Sequence, residues 1–235
     1  MNAETKRIKA IQPLVDKNKT YSLKEAISLL KKMPKLKFDE TVEIAMKLNV
    51  DPKQSQSSSI RGMVSLPHGT GKKVRVVVFC KGEEEIKAKD AGADHIGAED
   101  LIAKVQGGWS DFDVAISTPD MMKDLAKLGK ILGPRGLMPN PKSGTVTMDT
   151  AKAIKEVKAG KIEFKMDKQA GIHAPLGKLS FSEEHLYGNA VALIDAIMTT
   201  TPQGGGPTGQ HVKTLFISTT MGPGIKLDLA QFRKG

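Results

Sequence analysis

Near both ends of the chain, apolar and polar residues alternate over short segments. Over residues 41–50 the apolar positions are Val42, Ile44, Met46, Leu48 and Val50. From Gly160 onward the same period returns at Ile162, Phe164 and Met166. A period of two is typical of a strand that is buried on one face. We therefore predict a half-buried strand in each end region, and a further strand of mixed pattern over residues 212–219.

The end regions also carry two helical patterns. In the first, Ser22 and Glu25 provide an S-x-x-E capping box, and Pro34 ends the run. Its apolar positions are Leu23, Ala26, Ile27 and Leu30. A second helix is predicted over residues 182–198, where Ser180 and Glu183 offer another capping box. Its apolar face contains Leu186, Ala190, Leu193, Ile194 and Ile197.

The middle of the chain follows a different pattern. Residues 74–79 form a short, continuous apolar run, which is typical of a strand covered on both faces. Further strands are predicted over residues 94–96 and 112–117, and helices from Glu83 and over 99–106, 120–128 and 150–159. Alternating strands and helices at this spacing favour a small parallel sheet. Residues 51–59 and 203–210 are predicted loops, and residues 66–71 a hinge or linker.

A chain of 235 residues has room for two domains, and its net charge is +10. Residues 1–66 carry +6, residues 67–159 carry +2 and residues 160–235 carry +2. Two end segments that pair around an inserted middle would therefore form a basic body, although the pattern alone does not establish this pairing. A basic protein is attracted to a polyanion, either nucleic acid or an anionic membrane surface.

Three features of the sequence indicate the cellular compartment. No apolar stretch reaches the length of a membrane span, and residues 1–10 lack the apolar core of a signal peptide. The only cysteine, Cys80, fits a reducing compartment, since it has no partner for an internal disulfide. We expect a cytoplasmic protein with no membrane partner.

The sequence offers little support for an enzyme. A phosphate group binds where the N-terminus of a helix is free of negative charge, but the first predicted helix of the middle region begins with Glu83, Glu84 and Glu85. The segment 69–72 (GTGK) precedes its strand and is not a P-loop. The five histidines show no metal-ligand spacing with one another or with Cys80. We predict no catalytic residue, no cofactor and no metal; a small-molecule-binding α/β enzyme is the alternative from another class.

Two segments are candidates for nucleic-acid contact. Residues 31–38 hold four lysines and Phe38, which can meet phosphates and a sugar or base, or equally decorate a helix end. Residues 218–224 (STTMGPG) place three hydroxyls before a tight turn, which suits RNA backbone but also an ordinary edge strand. Aromatic residues are scarce, so we expect recognition of RNA shape and backbone instead of stacked single strands.

Four stretches resemble the L-one family of large-subunit ribosomal proteins, of the bacterial type. They are residues 37–43 (KFDETVE), 61–72 (RGMVSLPHGTGK), 132–145 (LGPRGLMPNPKSGT) and 218–224 (STTMGPG). The four occur in family order and at family spacing, and the resemblance extends along essentially the whole chain.

The resemblance implies a two-domain protein of mixed α/β and α+β class. Domain one is a discontinuous α+β sandwich built from residues 1–67 and 160–235, and it holds the main RNA contacts. Domain two, residues 68–159, is an inserted, Rossmann-like, three-layer α/β domain with a small parallel sheet. This division agrees with the charge distribution and with the change of pattern along the chain.

The resemblance also implies the residues that contact RNA. In domain one they are Lys37, Phe38, Glu40, Thr41, Lys165, His173, Ser218, Thr220, Met221 and Gly222. In domain two a basic loop would add Arg135, Met138, Pro139, Asn140 and Lys142, although a purely structural Gly-Pro-rich loop is the other interpretation. Residues 200–211 differ from the family because they contain no lysine, so we assign no phosphate contacts to them.

The function implied is that of a ribosomal protein. Family members lie in the cytoplasm on the large subunit, where they bind the ribosomal RNA of a mobile lateral stalk beside the exit site. They assist release of deacylated tRNA and repress translation of their own operon messenger RNA. Outside the ribosome we expect a monomer. A free-standing RNA-binding translational repressor is the alternative within nucleic-acid binding.

Overall fold

The computed structural model describes residues 6–16, 18–49, 60–200 and 212–232. Its strands are β1 (Thr41–Leu48), β2 (Arg61–Ser65), β3 (Val76–Phe79), β4 (His95–Gly97), β5 (Val114–Ser117), β6 (Lys161–Lys165), β7 (Gly171–Lys178), β8 (Val212–Thr219) and β9 (Ile225–Lys226). Its α-helices are α1 (Lys6–Ile11), α2 (Leu23–Lys32), α3 (Glu83–Asp90), α4 (Glu99–Gln106), α5 (Met122–Leu125), α6 (Gly129–Leu132), α7 (Thr150–Lys158) and α8 (Glu183–Thr199). Within the described ranges, no helix has both the length and the apolar character that crossing a membrane requires.

The chain divides into two compact units. Unit 1 comprises the described parts of Met1–Gly71 and Ile162–Gly235, and unit 2 comprises Lys72–Lys161. The first boundary lies after Gly71 because buried Asn189 holds the preceding segment. The Asn189 side chain accepts a 3.0 Å hydrogen bond from the backbone N–H of His68 and donates one of 2.8 Å to the carbonyl of Gly69. The imidazole of His68 also stacks on His185, with 4.0 Å between ring centroids.

Unit 1 is built on an antiparallel sheet with strand order β7-β1-β8-β9, and β2 pairs separately with β6. Strand β1 shows the predicted alternation, because its apolar positions 42, 44, 46 and 48 are all buried. Helices α2 and α8 bury their apolar faces in the same core, including every residue predicted for those faces. The opposite side of the sheet carries the polar positions of the strands.

The two predicted capping boxes have different outcomes. The first is confirmed, since Ser22 accepts a hydrogen bond from the Glu25 backbone and Glu25 accepts one from the Ser22 backbone. The second is wrong: Ser182 caps α8 by accepting a hydrogen bond from the backbone N–H of His185. Ser180 lies two residues before that cap, and its hydroxyl donates a 2.7 Å hydrogen bond to Asp39 instead.

Unit 2 is a three-layer α/β structure around a parallel sheet of order β4-β3-β5. One face of β3 packs with α4, α5 and α6, and the other face packs with α3 and α7. All four residues of β3 are fully buried, as its continuous apolar run predicts. Cys80 follows directly and is also fully buried; its desolvation, assisted by Glu85 and Glu84, raises the pKa of the thiol to about 11.

Several elements differ from the prediction. Strands β2, β7 and β9 and helix α1 were not predicted, and the helix expected over residues 120–128 is a chain of short turns in which only Met122–Leu125 is α-helical. Strand β7 contains Pro175, which a strand tolerates at the edge of a sheet, where β7 lies. Val50, the predicted loop over residues 51–59 and the whole of 201–211, which includes the predicted loop over 203–210, lie outside the described residues.

Candidate nucleic-acid interface

A buried carboxylate joins the two segments predicted to contact RNA. Glu40 precedes β1 and is 2 % exposed. Its Oε1 accepts hydrogen bonds from the Thr219 hydroxyl (3.1 Å) and from the backbone N–H of Met221 (3.0 Å). The segment before β1 is therefore tied to the turn after β8, although the residues joined are about 180 positions apart in the chain.

Arg7 of α1 completes this arrangement from a third segment. Its Nη2 donates a 2.9 Å hydrogen bond to Glu40 Oε2, and its Nη1 donates one of 2.8 Å to the carbonyl of Met221. Its Nε donates to the carbonyl of Pro34 at 3.2 Å. The pair is desolvated, since the side chains of Arg7 and Glu40 are 17 % and 2 % exposed. Pairing and additional hydrogen bonds are what a buried charge requires.

A second set of hydrogen bonds links Thr41 with Thr220. The hydroxyl of Thr220 accepts a 2.9 Å hydrogen bond from the Thr41 backbone, whose carbonyl in turn accepts one of 3.0 Å from the Thr220 N–H. The Lys178 ammonium donates to the Thr41 hydroxyl at 3.0 Å. Three strands, β7, β1 and β8, are thus fixed together where β1 begins.

Around this network, side chains of the two segments face solvent. Phe38 is 53 % exposed and Met221 is 61 % exposed, while Lys37 and Thr220 are also exposed. We call Lys37, Phe38, Thr41, Thr220, Met221 and Gly222 the strand-end surface. The sequence-predicted residues 37–41 and 218–222 therefore come together in one place, with Glu40 buried beneath them.

Ser218 and His173 lie on the outward side of the same sheet. Ser218 pairs with Glu43 of β1, and His173 pairs with Ala45, two residues further along that strand. From strand spacings of about 4.8 Å and about 3.3 Å per residue, their backbones are about 12 Å apart. We call the outward positions of the sheet the open face. It also contains Lys47, Phe216 and Lys226.

Lys165 lies beside His173. It is the last residue of β6, and the antiparallel bridge between Met166 and Ile172 sets it opposite His173 in register. Asp167 begins the turn between these strands, and hydrogen bonds from the backbone of Gly171, then Gln169, hold its pKa below the ordinary value. This carboxylate orders the turn and leaves Lys165 exposed.

The loop predicted as a second contact lies in unit 2, and it is internally ordered. Hydroxyls of Ser143 and Thr145 hydrogen-bond the backbone of Asn140, and Met138 packs against the core. Arg135 is exposed and its guanidinium donates to the Ser110 hydroxyl. The backbone of Lys142 lies in a short 3₁₀ turn in this loop. The loop thus has a structural role and also presents an exposed arginine.

Sequence reasoning missed Arg7, Lys178 and the Asp39–Ser180 contact at this site. Asp39 Oδ2 accepts the Ser180 hydroxyl hydrogen bond and Oδ1 accepts one from the Ser180 backbone at 3.1 Å. The contacts of Arg7 with Met221, of Lys178 with Thr41 and of Asp39 with Ser180 each join residues more than 100 positions apart, and no local pattern marks them. Among residues 6–16, 18–49, 60–200 and 212–232, no group of three or more histidine, cysteine or acidic side chains could hold a metal ion.

Comparison with known proteins decides the family. Residues 30–223 match the model of the ribosomal protein L1p/L10e family. The chain belongs to this family. It is also 51 % identical, over 231 residues, to the protein called large ribosomal subunit protein uL1 of Protochlamydia amoebophila (strain UWE25). That match covers 98 % of this chain and 97 % of the relative.

Membership confirms the resemblance seen in the four sequence stretches, and the structure confirms the mixed α/β and α+β fold class. The family is one of ribosomal proteins, so the chain is a ribosomal protein of the cytoplasm. Both segments of the strand-end surface fall inside the matched range, whereas Arg7 precedes it.

Proposed function

We propose that this protein is a non-enzymatic structural constituent of the large ribosomal subunit, and that unit 1 binds ribosomal RNA of the mobile lateral stalk beside the exit site. The observation that carries the proposal is the convergence of residues 37–41 and 218–222 on one network centred on Glu40. That network fixes the strand-end surface before any RNA arrives, and a preformed surface loses less conformational freedom on binding.

The chemistry of the strand-end surface suits folded RNA. Lys37 supplies a cation for a phosphate, and the exposed ring of Phe38 can lie against a base or sugar. The Thr220 hydroxyl and the carbonyl oxygens of the Met221–Gly222 turn can meet ribose hydroxyls. Glu40 is buried, so its part is to position this turn from below.

The open face extends the contact. Lys165 and His173 lie next to each other, and the backbone of Ser218 lies about 12 Å from that of His173 on the same face. Glu43, on the same face, would keep phosphates away from its own position and so define where the backbone runs. The loop of unit 2 that contains Arg135 and Asn140 would provide a secondary contact.

The family resemblance implies two further activities. The stalk carried by this protein borders the exit site, where it assists release of deacylated tRNA. A messenger segment that copies the shape of the ribosomal site would occupy the same residues, and the protein would thereby repress its own operon. The same surface can bind both the ribosomal site and the messenger segment because it recognises RNA shape and backbone more than sequence.

A salt titration of binding to the isolated stalk RNA tests the proposal. We expect the logarithm of the association constant to fall linearly with the logarithm of salt concentration, with a slope that counts the neutralised phosphates. Filter binding with an unrelated duplex RNA of the same length is the control. Equal affinity for both RNAs at moderate salt would contradict a specific stalk site.

Co-sedimentation distinguishes a ribosomal constituent from a free-standing repressor. A constituent remains on the large subunit through a moderate salt wash, whereas a repressor appears in the soluble fraction with its messenger. Saturable nucleotide binding by unit 2 would instead favour the enzyme alternative, despite the acidic start of α3.

A further inference from the structure

The guanidinium of Arg7 donates three hydrogen bonds next to the strand-end surface. Its three donor nitrogens each reach a different acceptor: the carbonyl of Pro34, the carbonyl of Met221 and the carboxylate of Glu40. Pro34 precedes Lys37 and Phe38 in the chain, and Met221 belongs to the turn after β8. A single guanidinium thus connects α1 with both halves of the strand-end surface.

The geometry requires an arginine. The planar guanidinium presents its donors as a rigid fork, so three acceptors in different directions are satisfied at once. A lysine ammonium is a single point on a flexible stem and could pair with Glu40 without also holding both carbonyls. The guanidinium is largely buried and paired, so most of its charge is already balanced within the protein.

We propose that Arg7 is a positioning residue of the RNA-binding surface, a latch by which the N-terminal helix fixes the Met221–Gly222 turn against the segment before β1. The proposal rests on the function proposed above for unit 1. Without the latch, the turn samples other positions. The apparent affinity for RNA is then the intrinsic affinity multiplied by the fraction of molecules that have the binding arrangement. The N-terminal helix is thus part of the RNA site although its latch residue itself does not touch RNA.

The predicted signature separates positioning from direct contact. A residue that neutralises a phosphate contributes about 0.9 to the salt slope, so its loss reduces the slope. A positioning residue lowers the affinity at every salt concentration and leaves the slope unchanged. A purely structural residue lowers the melting temperature but not the affinity of the molecules that remain folded.

The experiment measures stalk-RNA binding of the full chain for Arg7→Lys and Arg7→Ala across a salt series. We expect Arg7→Lys to stay folded by circular dichroism, to bind about tenfold more weakly, as for a surface that is competent about a tenth of the time, and to keep the wild-type slope. Arg75→Lys is the matched control: Arg75 is likewise an arginine held by ion pairs, in its case with Asp111 and Asp113, but it lies in unit 2. It should bind RNA like the wild type.

A double-mutant cycle keeps the proposal testable if Arg7→Ala is poorly folded. Glu40→Gln removes the carboxylate that Arg7 holds, so the effects of Arg7→Lys and Glu40→Gln on affinity should not add. Additive effects, a reduced slope or unchanged affinity of Arg7→Lys would each overturn the latch while wild-type binding stands. Failure of the wild-type protein to bind the stalk RNA would instead overturn the function itself.

Discussion

The hydroxyl oxygen of Thr220 lies 2.9 Å from the backbone nitrogen of Thr41 and 3.3 Å from its carbonyl oxygen. An exposed residue just past the end of β8 therefore holds the first residue of β1 in place. The contact matters because both residues belong to the strand-end surface, where a displaced backbone would move the groups that face RNA.

Replacing Thr220 with valine removes this hydroxyl at nearly constant volume. We expect about tenfold weaker stalk-RNA binding, since a lost hydrogen bond at a desolvated interface costs about 1–2 kcal/mol. Unfolding in urea should show a loss of about 1 kcal/mol at most, because Thr220 is exposed. Thr220→Ser keeps the hydroxyl and should bind like the wild type; unchanged affinity of Thr220→Val would remove Thr220 from the site.

Replacing Phe38 with alanine tests whether its ring contacts a base or a sugar of the RNA. Base–aromatic stacking contributes about 1–3 kcal/mol, so Phe38→Ala should weaken RNA binding by about 5- to 140-fold. Stability should change little, since the side chain is 53 % exposed. The control is Ile86→Ala, which truncates an apolar side chain on α3 that is 66 % exposed. If both variants bind equally well in filter assays, the ring of Phe38 does not contact the RNA.

Gly222 lies where a side chain would meet the network. A Cβ atom there would clash with the Thr219 hydroxyl, the group that donates to Glu40. We expect Gly222→Ala to lose about 1–3 kcal/mol in urea denaturation and to bind RNA more weakly. Gly129→Ala, whose Cβ would meet open space, should do neither. An unaltered Gly222→Ala protein would show that the turn can move without consequence.

The stability of unit 2 should depend on acid through Asp113. Burial would raise the pKa of this carboxyl, but hydrogen bonds from Lys72 and Arg75 outweigh it and lower the pKa from 3.8 to about 2. Because the folded-state pKa is the lower one, the stabilisation is complete above about pH 5 and is lost as the pH falls towards 2.

Asp113→Asn measures that contribution. Near neutral pH, the free energy of unfolding of the wild type should exceed that of the variant by about 2 kcal/mol. This difference should vanish as the pH approaches 2. Fluorescence of Trp109, the only tryptophan, which is partly buried and packs against the unit 2 core, follows the unfolding. A difference that persists unchanged at pH 2 would mean that ionisation of Asp113 is not its source.

The sequence predicts those parts of the fold that depend on local patterns. Strand β1 and helix α8 were predicted because each buries one regular face. Strand β7 was missed since Pro175 and two glycines hide its alternation, and only its pairing with β1 makes it a strand. The N-cap of α8 was predicted two residues too early because Ser180 and Ser182 are equally suitable caps in the sequence. In the structure the Ser180 hydroxyl donates to Asp39 instead.

The sequence predicted the exposed residues of the candidate site but not the residues that hold them in place. Phe38 and Thr220 lie in recognisable segments, whereas Arg7 carries no motif and contacts Met221 across 214 positions. A buried glutamate is unusual in any sequence, but its burial follows only from the partners that the fold brings to it. The network that orders the surface is therefore a property of the tertiary structure.

The position of Cys80 determines how the protein responds to oxidants. Reagents and disulfides attack the thiolate, and with a pKa of about 11 only about one molecule in ten thousand is ionised at neutral pH. The sulfur is also shielded, since Cys80 is fully buried behind β3. Folded molecules should therefore resist alkylation and covalent cross-linking, so that modification of this one sulfur would report that unit 2 had opened.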